Sequence, residues 1–145
     1  MTEHSQLHLT KAPLAGDLVG TAFEGWSSDH LTELKTNAFN GRVGGTLNLE
    51  NDLLRVWSIQ LAPGERLPFH RHVLDYFWTA VRAGSSTQRT SDGTTRCVTY
   101  AAGDTRFFSF AHGEYLLHDL ENSGTDHLEF VTVELKRSSN DPLPL

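Results

Sequence analysis

Cysteine is all but missing from this sequence. Cys97 is the only one in 145 residues, so neither an intramolecular disulfide nor a cysteine-rich zinc site can form. Its neighbours, "TTRCVTY", alternate as a strand does, and Cys97 reads as a small packed apolar side chain. Long apolar runs are missing too. No window approaches the roughly 18 residues of a membrane helix, and "MTEHSQLHLTKAPLAG" has neither the basic start nor the apolar core of a secretion signal. A cytoplasmic protein without a membrane partner is expected. Positive charge is scarce: 12 Lys and Arg stand against 18 Asp and Glu, for a net charge of -6. That balance lacks the basic field a phosphate backbone requires and argues against nucleic acid as a partner.

What is present is a strand-forming chain. From residue 46 onward, short runs rich in Val, Ile, Thr, Phe, Tyr and Trp are cut at regular intervals by Gly, Asn, Asp and Pro. The expected strands are "TLNLE", "LLRVWSIQLA", "LDYFWTAV", "SSTQRT", "TTRCVTYA", "TRFFSF", "YLLHDLEN" and "HLEFVTVELK". The turns "PGER", "SDG", "AGD", "HGE" and "NSGTD" separate them, with glycine supplying positive φ and Asp or Asn bonding back to its own backbone. This spacing predicts an all-β antiparallel sandwich or barrel, and no segment after residue 46 has a helical period. Residues 1–45 read as an N-terminal arm rather than a domain, with 46–145 forming the barrel. Within the arm, "APLAGDLVGTAFEGW" is irregular or a short helix weakened by glycine, and "LTELKTNAF" is a strand or a helical turn.

Of the eight histidines, His4 and His8 sit in a polar terminus and read as surface residues. His30 and His127 flank turns and read as solvated or capping residues. His70 and His72, in "PFHRH", differ: alternate residues of an extended strand project from the same face, so both imidazoles enter one space. Two such nitrogen donors form half of a site for a late first-row metal, which a remote ligand must complete. Arg71 between them is expected to point the opposite way, to solvent or an ion pair. The remote candidate is His118 in "YLLHDLENSG", whose face is shared by Leu116 and Leu120 and should look inward.

These residues resemble the two motifs of the cupin superfamily. Gly64 is followed by five residues and then by His70-Arg71-His72, with Gly84 closing the first motif. In the second, Gly103 opens the block and His118-Asp-Leu-Glu-Asn122 reproduces the terminal H-x3-N. The resemblance covers about residues 46 to 136, and within the superfamily it is nearest to small one-domain bacterial cupins of the β-alanine degradation type. It implies a double-stranded β-helix, or jelly-roll barrel, with His70, His72 and His118 binding one divalent metal at its centre.

The sequence departs from the family pattern at the fourth ligand, usually a glutamate. That position is Tyr76, with Phe77 one residue on and Asp75 one residue before. The set is therefore three histidines with water, or three histidines with Asp75 or Tyr76; a bulge would be needed to turn Asp75 inward. In the second motif Ser109 and Ala111 replace a proline and a glycine, and strict spacing would select Glu114 instead of His118. His118 is preferred because the hairpin through "AHGEY" can absorb the offset, leaving His112 and Glu114 as turn residues.

A facial set of neutral ligands leaves positions open for a chelating substrate and dioxygen, and its undiminished +2 charge favours an anionic substrate. The resemblance to three-histidine cupin dioxygenases implies a mononuclear non-haem enzyme, with Fe2+ preferred over Zn2+, Ni2+ or Mn2+. A non-catalytic cupin that binds a small ligand or a structural metal is the alternative, and a metal-dependent lyase or isomerase a further one. Leu74, Tyr76, Trp78 and either Trp57 or Val56 should wall the site by parity, with Tyr76 donating from its phenol. Gln60, Asn122 and Asp119 are expected to hold the histidines' outer N–H groups. A homodimer using the N-terminal arm is expected to cover the open sheet edges.

Overall fold

The computed structural model describes residues 8–10 and 13–145; the reading of His4, and of the first seven residues as arm, lies outside them. The chain forms β1 (His8–Leu9), β2 (Asp17–Gly20), α1 (Ser28–Thr36), β3 (Thr46–Glu50), β4 (Leu54–Leu61), β5 (Arg66–His72), β6 (Asp75–Ala80), β7 (Gly84–Arg89), β8 (Thr95–Tyr100), β9 (Thr105–Phe108), β10 (Glu114–Asn122) and β11 (Leu128–Leu135). One sheet runs β3-β4-β11-β6-β9. The other places β10 between β5 and β7, continues through β8 to β2, and has β1 parallel to the start of β10.

All eight expected strands form, and the 3.6-residue period is absent after residue 46, as read. One part of the arm differs from the reading, and in another the helical alternative is the one that forms. "DLVG" is neither irregular nor helical but forms β2, an added strand antiparallel to β8. Leu31 to Thr36 of "LTELKTNAF" belong to α1, which begins earlier because Ser27 caps it: the Ser27 hydroxyl accepts from the His30 N–H at 3.1 Å while His30 Nδ1 accepts from the Ser27 N–H at 3.1 Å. Imidazole thus takes the place of the usual Glu or Gln of a capping box, and His30 is the capping residue its turn position suggested.

Parity builds the interior. The inner faces of both sheets contribute Ile59, Leu61, Ala80, Val98, Tyr100, Leu120, Leu128 and Phe130 to one buried cluster, and Tyr76, Phe108, Phe110 and Leu116 to a second. Trp78 packs against both. The same parity corrects Cys97. With Val98 and Tyr100 inward, Cys97 lies exposed on the outer face, its sulfur 3.7 Å from Thr87 Oγ1, and Arg96 is carried inside.

Strand β5 carries the paired histidines and lies at a sheet edge, bonded on one side to β10. Its register contains a bulge: His70 faces His118 but Leu67 faces Leu120, so three steps along β5 match two along β10. The extra residue lets Leu67 and His70 both turn inward. At the turn before β5, Gly64 adopts φ +83°, and its N–H meets Asn122 O at 3.0 Å, closing the strand onto β10.

The outer edge of β5 is covered by α1 and the residues that follow it. The Phe69 N–H donates to Glu33 Oε2 at 3.0 Å, and the Phe69 carbonyl accepts from Asn37 Nδ2 at 3.1 Å and Asn40 Nδ2 at 3.0 Å. The Arg71 N–H donates to Asn40 O at 2.7 Å. Glu33 also holds Arg66 through both carboxylate oxygens, at 2.6 and 2.9 Å. Removing the carboxylate in Glu33→Ala orphans the Phe69 N–H and one side of Arg66. Urea unfolding of that variant is expected to show a loss of about 1–3 kcal/mol, the cost of an unsatisfied buried donor; an unchanged midpoint would contradict the role assigned to Glu33.

Candidate metal centre

The bulge and the β5–β10 register bring three imidazoles to one point. His70 and His72 share a face of β5, His118 lies directly across from His70 on β10, and one nitrogen from each lies within 4.8 Å of the others. Ring centroids stand 4.9 Å apart for His70–His72, 4.7 Å for His70–His118 and 5.3 Å for His72–His118. His70 and His72 are buried, and His118 is partly so.

Two of the rings are fixed from behind. His70 Nδ1 lies 2.8 Å from the Pro68 carbonyl, inside the bulge, and His118 Nδ1 lies 3.0 Å from Gln88 Oε1. An oxygen acceptor requires the proton on Nδ1, which leaves the lone pair of each ring on Nε2. Gln88 is itself oriented, because its Nε2 donates to Tyr100 Oη at 3.0 Å, and Tyr100 bonds Ser86 Oγ at 2.8 Å. His72 is held differently: it stacks on Tyr76 at 3.9 Å and 10°. Its Nδ1 is, among the described residues, the one buried side-chain nitrogen or oxygen without a hydrogen-bond partner.

Burial keeps all three rings neutral. It pushes His70 down to about 4, and it lowers His72 and His118 well below the ordinary histidine value, helped by the neighbouring imidazoles. Three neutral, converging imidazoles fit a divalent ion well, since each must offer an unprotonated nitrogen.

The expected outer acceptors are not those found. Gln60 is exposed, Asn122 bonds Leu61 O and Asp126 O at the far end of β10, and Asp119 pairs with Arg66 and Arg89 on the outer face. Asp119 follows His118 directly, so strand alternation turns it away from the site. Gln88, Pro68, Ser86 and Tyr100 carried no motif signal; only the pairing of β7 with β8, and of β10 with β5, reveals them. Arg71 does turn outward, yet it meets neither solvent nor an acid. Its guanidinium lies between the Phe39 and Tyr115 rings, at 4.3 and 4.0 Å.

Asp75 Oδ1 accepts from the Phe110 N–H at 2.9 Å, and Glu114 Oε1 accepts from the Ala111 N–H at 2.8 Å within its hairpin. Neither lines the cavity around the imidazoles. Tyr76 does, along with Trp78; Trp57 is the inward member of its pair but, like Val56, does not line the cavity. Leu74 is buried but outside the lining. Burial raises the Tyr76 phenol far above its ordinary value, so it stays protonated and can act as a donor. The cavity measures about 50 Å³, room for a few waters rather than a drug-sized ligand.

One interior acid escaped the sequence reading. Glu134 on β11, in register with Tyr76 on one side and Arg55 on the other, accepts from Trp57 Nε1 at 2.8 Å. Burial pushes it up to about 7 from an ordinary 4.5, against the opposing Trp57 bond and Arg55 charge. The folded state therefore holds a proton that the unfolded state has lost between those values, so this group lowers stability as pH rises through that window. Glu134→Gln removes the effect. Relative to wild type, the variant should gain on the order of 3 kcal/mol between pH 4.5 and 8 in urea unfolding; a pH-independent difference would refute the buried protonated acid. For the histidines, Gln88→Ala leaves the His118 Nδ1–H without its acceptor. Competition with a chelator should show metal affinity falling about 10- to 100-fold, whereas Gln88→Glu should retain it.

No protein-family model matches the chain, and no curated protein does. Solved structures do. A cupin domain from Bordetella pertussis Tohama I superposes with a TM-score of 0.55 at 23% identity, over 63% of this chain and 90% of that one. An uncharacterized conserved protein with a double-stranded β-helix domain, from Klebsiella pneumoniae, superposes at 0.52 and 16% identity over 97% and 91%. The class is thereby defined: this chain has the cupin double-stranded β-helix fold that its two motifs suggested. The likeness extends to the fold and does not separate the β-alanine degradation type from other cupins.

Proposed function

We propose that the protein is a mononuclear metal-dependent enzyme of the cupin class, with one divalent ion held by His70, His72 and His118, acting on a small anionic chelating substrate. The observation that carries this reading is the convergence of three neutral imidazoles within 4.8 Å, two of them locked in the tautomer that frees Nε2. No carboxylate joins the set among the described residues. When bound, such an ion supplies Lewis acidity and, if it is Fe2+, the means of bringing dioxygen to a chelated substrate.

The chain's own residues do the rest. Leu116, Phe108 and Phe130 exclude bulk water from the cavity, and Tyr76, stacked against His72, keeps that ring from rotating while offering a phenolic proton to a bound substrate oxygen. Gln88 holds the proton at His118 Nδ1, and the Pro68 carbonyl holds it at His70 Nδ1. Fe2+ is the favoured ion, with a dioxygenase-like reaction; Zn2+, Ni2+ or Mn2+ would suit a lyase or isomerase in the same site. A non-catalytic reading, with a structural metal or a small bound ligand, draws on one observation, the small volume of the cavity.

Metal analysis of protein purified without added salts separates these readings. Stoichiometric metal is expected in wild type and in Glu114→Gln, and its loss is expected in His70→Ala, His72→Ala and His118→Ala. Full retention in His118→Ala would overturn the ligand set. Iron together with oxygen uptake on a panel of 1,3-diketones, thiols and catechols supports the dioxygenase. In that case Tyr76→Phe should keep its metal and lose about 100- to 10,000-fold in turnover, the scale of a lost proton donor. Tightly held zinc or nickel without turnover would sink the enzyme reading.

A further inference from the structure

The cavity of the three histidines contains a permanent charge that metal binding does not use. Arg96 lines it from β8, directly across from Gln88, the residue that holds His118. Arg96 and the three imidazoles thus line one cavity, Arg96 reaching it from the strand beside the one that carries Gln88. Its one side-chain partner is a neutral hydroxyl, Thr94 Oγ1, at 2.9 Å from Nη1. That hydroxyl is already donated to Asp92, at 2.6 Å.

The other inward or half-buried arginines have partners: Arg106 donates to the Pro13 carbonyl at 2.6 Å and lies over the Phe108 ring at 5.5 Å. Arg55, Arg66 and Arg89 lie in ion pairs, and Arg71 lies between two rings. Among the described residues no carboxylate pairs with Arg96, and none lines its cavity. A partly desolvated guanidinium with an unfilled fork, in a chamber free of acids, is a site for an anion with two parallel acceptor oxygens. The small volume limits that anion to a few heavy atoms.

We infer that Arg96 is the carboxylate-binding residue of the site, and that the substrate is a small carboxylic acid with a second oxygen donor turned toward His70, His72 and His118. The second donor rests on the metal-site reading proposed above; the carboxylate contact does not.

Two measurements separate them. In metal-free protein, the Arg96 Nε–H resonance, assigned by its absence from Arg96→Lys, is followed while glycolate, pyruvate, lactate and the neutral glycolamide are added. One or more of the acids should shift it, and glycolamide should not. In protein loaded with Co2+, the cobalt absorption bands report the same titrations. Arg96→Gln should bind the acids at least tenfold more weakly than wild type, and Arg96→Lys should fall between, all three with equal cobalt content. Unchanged affinity in Arg96→Gln, equal binding of glycolamide, or failure of wild type to bind any of the three acids would overturn the assignment. Absence of cobalt uptake with a persisting acid-induced shift at Arg96 would remove the metal site and leave the carboxylate contact standing.

Discussion

The register that sets His118 opposite His70 is the constraint on which the site depends. It pairs β10 with β5 across a bulge at Pro68 and Phe69. Sliding the pairing by one residue would send His118 outward and Asp119 inward, replacing a neutral donor by a charged acid with its two arginines left behind. Several bonds resist that slip. Gly64 and Asn122 tie the strand ends together, and Asp119 anchors β10 from outside through Arg66 and Arg89. The polar network on the outer face thus holds the position of the histidines on the inner one.

The bulge has a second effect, because the carbonyl it frees becomes the acceptor for His70 Nδ1. A regular strand would spend that oxygen on its neighbour. Here irregular backbone does what a second-layer side chain does at His118, where Gln88 is the acceptor. His72 has neither and relies on stacking against Tyr76. Tyr76, at the position of the acid in the motif the sequence resembles, offers a flat support and a protonated phenol instead of a carboxylate.

Much of this was legible in the sequence, and the legible part is what periodicity encodes. Strand signals located eight of the nine strands from β3 to β11, the ninth, β5, being read only as the extended segment around His70 and His72, and alternation put His70, His72, His118, Tyr76 and Trp78 on inner faces. Arg71, Asp119 and Cys97 were placed on the correct strands. Alternation itself turns Asp119 and Cys97 outward, whereas what Arg71 meets outside depends on which element covers its strand, and no local pattern states that. The outer side of β5 is packed by α1, whose start is decided by Ser27 and His30 rather than by apolar spacing. Gln88 and Arg96 were unreadable for a related reason: their importance comes from which strands are neighbours, a long-range fact.

Helix α1 buries no residue of its own, and it is held to the barrel chiefly by polar bonds from Glu33, Asn37 and the loop to Asn40. Such an attachment lacks the apolar area that makes most docked helices permanent. Were it released, the Phe69 and Arg71 backbone would face solvent as an unpaired strand beside an apolar ring. That is the geometry from which chains polymerise by adding strand to strand. The helix therefore closes an otherwise open sheet edge at the very strand that carries two of the three histidines.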